Sequence, residues 1–154
     1  MMNSEKPLGT VEEEIKEHGA YATNTVGTSM RPLFKTHRDV VLLKAPEREI
    51  KKYDVVFYSD EKGRHILHRV IGFRDGCFVI RGDNTFVKEY VPHERIIAYM
   101  VGFNRKGKHH SADEFGYKFY SRFWHCIYPI RLVWRKTRAL LGKIKRAVFK
   151  KKAE

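Results

Sequence analysis

The run GTSMRPLF over residues 27–34 sets a serine between a flexible glycine and a proline, and this is where the chain can keep a nucleophile. Gly27 admits backbone angles closed to other residues. Pro32 fixes its own angle and biases Arg31 toward an extended form, so the backbone around Ser29 is held in one shape. A serine hydroxyl attacks poorly at neutral pH unless a base takes its proton, and an imidazole with a reference pKa of about 6.5 suits that task. Of the eight histidines, His68 has the most suggestive setting. In ILHRVIG it projects with Ile66 and Val70 to one side of a strand, while Leu67, Arg69 and Ile71 point to the other. A lone histidine there is ordinarily a core-edge residue bonded to a carbonyl. His65 falls on the opposite face and makes a poor metal partner for it, whereas His37, His93, His109 and His110 lie in turn-like or charged runs.

An orienting acid completes such a pair, and RGDNTFVKEY over 81–90 offers Asp83 and Glu89. Each has a plainer reading. Gly-Asp-Asn is a good turn sequence in its own right, and Glu89 beside Lys88 is an ordinary surface charge.

In order, GTSMRPLF, YDVVFY, ILHRVIG and RGDNT resemble the blocks of the type I signal peptidase family and its self-cleaving repressor relatives, over about residues 25–103. The histidine heading the His-Arg-Val block resembles the archaeal and endoplasmic-reticulum type, where other members carry a lysine. The resemblance implies a serine endopeptidase with Ser29 as nucleophile and His68 as general base, acting on extended peptides with small residues beside the cut. No metal or organic cofactor is required. In histidine-type members the third residue is an aspartate six positions beyond the Asp of Gly-Asp-Asn, and that count lands on Glu89. The acid therefore stays open between Glu89, Asp83 and a Ser-His dyad.

Two further departures stand out. Many members place a serine two residues before the nucleophile to help bind the charge on the attacked carbonyl, and here that position is Gly27. The Ser29 amide and the Thr28 hydroxyl are the remaining candidates for that oxyanion hole, and a missing donor typically costs about 10²- to 10³-fold in rate. The second departure is the absence of an N-terminal anchor. No stretch approaches the roughly 18 to 20 apolar residues of a spanning helix, and MMNSEKPLGTVEEEIKEHG is polar where an export signal is apolar. A cytoplasmic enzyme, peripheral on the inner face of the membrane, is the expected setting, with a leader peptide as suitable a substrate as an exported preprotein.

The elements that must position these residues read as mostly β. DVVLLKA, YDVVFYS, HILHRVIGF, CFVIRG and RIIAYMVGF have strand character and lie close together, with turns at EKG (61–63) and RDG (74–76). A compact antiparallel sheet or partly open barrel follows. Thr10 and Glu13 have capping-box spacing for a short helix that Gly19 ends. The chain divides into a lead-in (1–24), a peptidase-like domain (25–103) and a tail (104–154), whose first part, 104–116, reads as an exposed connection.

The charge belongs to the tail. Of the formal +13, residues 1–104 carry 16 Lys+Arg against 15 Asp+Glu, and residues 105–154 carry 15 against 3. A basic footprint confined to the tail argues against nucleic acid as the main partner. Pro129 and Gly142 are expected to break the tail into pieces, yet Val133, Thr137, Leu140, Leu141, Ile144 and Val148 can share one helical face with Arg135, Arg138, Lys145 and Arg146 largely off it. Residues 117–154 thus offer either a helix packed on the sheet or a basic amphipathic surface for an anionic membrane. Cys77 and Cys126, with no CxxC pair, indicate neither a disulfide framework nor a zinc site. Alternatives to a leader-cleaving enzyme are a self-processing regulatory peptidase and a membrane- or nucleic-acid-binding module with a decayed site. The first would need a DNA-binding domain and an Ala-Gly or Cys-Gly target ahead of Ser29, where the chain reads Gly19-Ala20.

Overall fold

The computed structural model describes residues 11–151. Helix α1 (Val11–His18) ends at Gly19, whose φ of 70° and amide bond to the Ile15 carbonyl form the glycine stop expected there. Thr10, its suggested cap, lies outside the described residues. Strands β1 (Ala20–Asn24), β2 (Val40–Lys44), β3 (Val55–Ser59), β4 (His65–Arg74), β5 (Cys77–Arg81), β6 (Glu89–Pro92), β7 (Ile96–Arg105) and β8 (Lys108–Ser111) precede helices α2 (Phe115–Cys126) and α3 (Tyr128–Lys151). The strands run β1-β2-β7-β3-β4-β5-β6, with β8 on β7, and every pairing is antiparallel. The fold is mostly β, in keeping with its short runs of β-branched and aromatic residues between turns.

Sheet register decides which side chains can meet. Val56 pairs with His68, Val70 with Ile80 and Ile80 with Glu89. Directly paired residues share a face, as do residues two apart on one strand, so Val56, Tyr58, His68, Val70, Ile80 and Glu89 all project to one side. Ile50, Val56, Tyr58, Val70, Phe78, Ile80, Val91 and Tyr99 form the core there. The other face, bearing Val55, Phe57 and Arg69, packs under α1, the Ser29 loop and Tyr117 of α2. Fully burying one such aliphatic or aromatic side chain contributes about 1.5–3 kcal/mol.

The tight turns follow their chemistry. Asp75 and Gly76 take φ of 50° and 75°, the two left-handed residues of a hairpin that fits the right-handed strand twist.

Three readings of the sequence change. The 104–116 segment is largely structured, because Lys106 and Gly107 at φ 51° and 78° turn β7 into β8. The sheet therefore extends past the 25–103 block, to β1 on one side and β8 on the other. Gly142 does not break the tail, since α3 runs through it, whereas the break expected near Pro129 occurs: α2 ends at Cys126 and α3 starts at Tyr128, with Pro129 in its first turn, where its missing N–H removes no helical bond. The side chains of Ile144 and Val148 lie outside the described residues. Among the described residues, no helix is long and apolar enough to cross a membrane.

Candidate functional site

The Ser29 loop is tied down from below. Thr25 Oγ1 donates to the carbonyls of Lys35 and Asp39, and the Lys35 amide donates to Asp39 Oδ2 at 2.8 Å. Asp39 is fully buried. Burial alone would raise its pKa, but the Arg38 guanidinium and the Lys35 amide outweigh that and hold it below the usual carboxylate value. Met30, Leu33 and Phe34 plug the loop into the core. The peptide before Pro32 is cis. Gly27 takes φ of 90° and its carbonyl accepts a bond from Thr36 Oγ1, so a serine at this position would be strained. Glycine at residue 27 thus has a backbone cause in this chain.

Ser29 is half-buried and lines the same cleft as His68, a space of about 580 Å³ whose walls also include Tyr21, Thr23, Gly27, Phe57 and Leu67. A residue the sequence did not single out for the site lies between them. A Cβ on Gly82 would fall 2.7 Å from the Ser29 carbonyl oxygen and 2.9 Å from His68 Nε2. The glycine of Gly-Asp-Asn is therefore required by close approach, with the serine backbone and the imidazole packed against one Cβ-sized space. The next residues fasten the contact, since the Asn84 amide donates to the Ser29 carbonyl at 2.6 Å and Asn84 Nδ2 to the Thr28 carbonyl at 3.2 Å. Thr28 itself is exposed.

The far side of the imidazole meets Glu89. His68 Nδ1 lies 3.0 Å from Glu89 Oε1, while the buried Tyr58 hydroxyl donates to Glu89 Oε2 at 2.8 Å and lies 3.3 Å from Nδ1. A carboxylate only accepts, and the tyrosine proton is already used on it, so Nδ1 carries the imidazole proton and Nε2 keeps its lone pair toward Gly82. Burial pushes the His68 pKa down, the Glu89 charge opposes this, and the net shift is downward from 6.5. The ring is thus neutral at neutral pH. Burial, reinforced by Glu89, pushes the Tyr58 phenol far above its usual value, so it remains a donor.

Asp83 belongs to a different group. Both its oxygens bond the buried Arg69 guanidinium at 2.8 Å, on the opposite face of β4 from His68, and Tyr120 donates to it at 3.0 Å. Arg69 also donates to Tyr53 O, Tyr117 Oη and Ser121 Oγ. The Asp83 carbonyl receives Trp124 Nε1 at 2.8 Å and an Arg131 guanidinium nitrogen at 2.9 Å. Arg81 stacks on Tyr128 and Arg135 on Phe86, with cation to ring distances of 3.4 and 4.0 Å. The tail is therefore docked, through α2 and the start of α3, onto the loop that carries Gly82 and Asn84.

Of the suggested residues, His68 and Glu89 are in contact, Ser29 and His68 line one cleft, and Asp83 pairs with Arg69. Tyr58 went unnoticed in the sequence, although its place in YDVVFY, two residues beyond the partner of His68, is a period-2 signal.

Comparison with family models, with curated proteins and with solved structures found no match for this chain.

Proposed function

We propose that this protein is a serine endopeptidase of the signal-peptidase kind, cleaving signal or leader peptides with Ser29 as nucleophile, His68 as general base and Glu89 as the acid that orients it. The observation that supports this most is the Tyr58, Glu89 and His68 chain, which leaves an unprotonated Nε2 facing the Ser29 loop in a shared cleft. A histidine kept only for packing needs no carboxylate held by a second buried donor.

In this reading Ser29 Oγ attacks the scissile carbonyl carbon as its proton passes to Nε2, and the imidazolium that forms is stabilised by Glu89. The same proton then goes to the leaving amine nitrogen as the C–N bond breaks. Water, deprotonated by Nε2, attacks the acyl ester and returns Ser29. The Ser29 amide, with Thr28 beside it, is the candidate donor set for the oxyanion. An extended substrate would pair with exposed backbone at the cleft rim.

The test compares wild type, Ser29→Ala and His68→Ala on a library of leader-like peptides, with products identified by mass spectrometry. Cleavage by the wild type alone is expected. Equal cleavage by Ser29→Ala would assign the chemistry to another group, and no cleavage by wild type across the library would overturn the enzymatic reading.

A further inference from the structure

Helix α3 has two sides with different occupants. Tyr128, Arg131 and Arg135 turn toward the domain, meeting Arg81, Asp83 O and Phe86. At 3.6 residues per turn, Ile130, Val133, Trp134, Thr137, Leu140 and Leu141 fall within about a third of the circumference on another side. Ile130, Val133 and Trp134 are 69%, 64% and 65% exposed, and Leu140 and Leu141 are similarly bare. Arg138 and Lys145 border this apolar arc along one edge, Lys136 and Lys143 along the other. Helix α2 repeats the theme. Phe115, Phe119 and Phe123 stack in a row, all exposed, with centroids 6.4 and 5.9 Å apart.

Charge selects the occupant. Together α2 and α3 contain eleven Lys and Arg and no Asp or Glu. A second copy of this chain would bring the same positive face against it and be repelled. A polyanion without an apolar phase, such as RNA, would leave five large apolar side chains of α3 in water. A bilayer with anionic headgroups takes both components: the arc enters the acyl boundary while the bordering cations stay at the phosphates, with their stems lying along the apolar surface.

We infer that the α2–α3 pair is a docking surface for an anionic lipid bilayer, with α3 lying in the plane of the interface along its Ile130 to Leu141 arc. The surface is separate from the cleft, and the inference does not depend on the peptidase reading. It does add a connection. The same helices grip the Asp83 carbonyl, beside the Gly82 and Asn84 contacts to His68 and Ser29, so a docked helix pair bears directly on the loop that lines the candidate site.

The experiment uses the full chain and its Ser29→Ala form, co-sedimented with vesicles of phosphatidylcholine alone or mixed with phosphatidylglycerol, while tryptophan emission is recorded. Both proteins are expected to sediment with the anionic vesicles and hardly with the neutral ones, with a blue shift that Trp134→Phe removes. Val133→Glu/Leu140→Glu/Leu141→Glu should lower vesicle affinity at least about tenfold. So should Lys136→Gln/Arg138→Gln/Lys143→Gln/Lys145→Gln, which keeps the apolar arc intact. Circular dichroism verifies that each variant folds. The inference is overturned if wild type ignores anionic vesicles, or if the triple glutamate variant binds like wild type. It fails equally if a single-stranded RNA homopolymer binds as tightly as the vesicles and the apolar substitutions do not weaken them selectively. Because Ser29→Ala is expected to bind unchanged, loss of vesicle binding and loss of peptide cleavage remain distinguishable.

Discussion

Glu89 holds His68 through Nδ1 at 3.0 Å, reaching it from a strand two places across the sheet. The extra methylene of glutamate over aspartate is taken up by Tyr58, which fixes the second carboxylate oxygen at 2.8 Å. A long acid with a dedicated buried donor thereby presents one oxygen to the imidazole, and several consequences can be measured.

Replacing Glu89 by Gln keeps the shape and removes the charge. If the proposed mechanism holds, kcat should fall by about 10²- to 10⁴-fold, because the amide can favour the wrong tautomer and cannot stabilise the imidazolium. The pH profile gives a second readout. In wild type the acid limb of kcat/KM should lie below 6.5, since burial lowers the His68 pKa. Glu89 opposes that shift, so Glu89→Gln should move the limb lower still. A limb that moves up would exclude Glu89 as the group facing the base.

Tyr58→Phe removes only the hydroxyl and leaves the ring in the core. Glu89 Oε2 then loses its donor, and kcat should drop about 10-fold with KM little changed. A purely structural role for Tyr58 would lower the melting temperature and leave the acid limb in place, whereas a positioning role shifts that limb as well.

Gly82→Ala should cripple the site more than the fold. Its Cβ would stand 2.7 Å from backbone at Ser29 and 2.9 Å from His68 Nε2, so the two must move apart. Displacement on the order of 1 Å typically costs about 10²-fold in rate. Comparing kcat with urea unfolding decides it: a stability loss with full activity would show that the contact has no bearing on alignment.

Asp83→Asn addresses the other carboxylate. It leaves the buried Arg69 guanidinium without its counter-ion, which should cost about 3–5 kcal/mol in denaturant unfolding and speed amide exchange in α2. Residual activity should show an acid limb moved slightly toward lower pH, because Asp83, although it bonds Arg69 and Tyr120 and not the imidazole, still favours the His68 cation through space as a lesser contributor after Glu89.

Stability should also depend on pH through His68. Its folded pKa is below its unfolded one, so the contribution of the neutral ring is complete above the unfolded value near 6.5 and is lost as pH falls through the folded value. Glu89→Gln, by lowering that value further, should widen the window of loss toward acid. Urea midpoints taken between pH 7 and 5 for the two proteins measure the difference.

Much of this protein was legible in one dimension because the signals are local. Runs of β-branched and aromatic residues along 39–45, 53–59 and 65–73 gave strands where strands occur, Asp75-Gly76 gave its turn, and period 2 put His68 beside Ile66 and Val70. RGDNTFVKEY offered His68 two carboxylates, Asp83 and Glu89, and left the choice between them open. β8 was not legible, because KHHS is charged and lacks alternation, and it is held by the partner strand and a glycine turn. Gly142 misled because a helix-interior glycine costs only about 1 kcal/mol, less than a continuous helix recovers elsewhere.

Residue types and their order by themselves determined a mostly β chain with a serine, a histidine and a choice of acids, followed by a basic apolar tail. Only the tertiary structure separated the acids, since a sheet sends alternate residues to opposite faces and cross-strand register, which no local pattern encodes, brings Glu89 to His68 and leaves Asp83 with Arg69. It likewise divided the tail. Aromatic and cationic side chains close to the Gly82–Asn84 loop are docked there, while Val133, Trp134, Leu140 and Leu141 of α3 stay exposed.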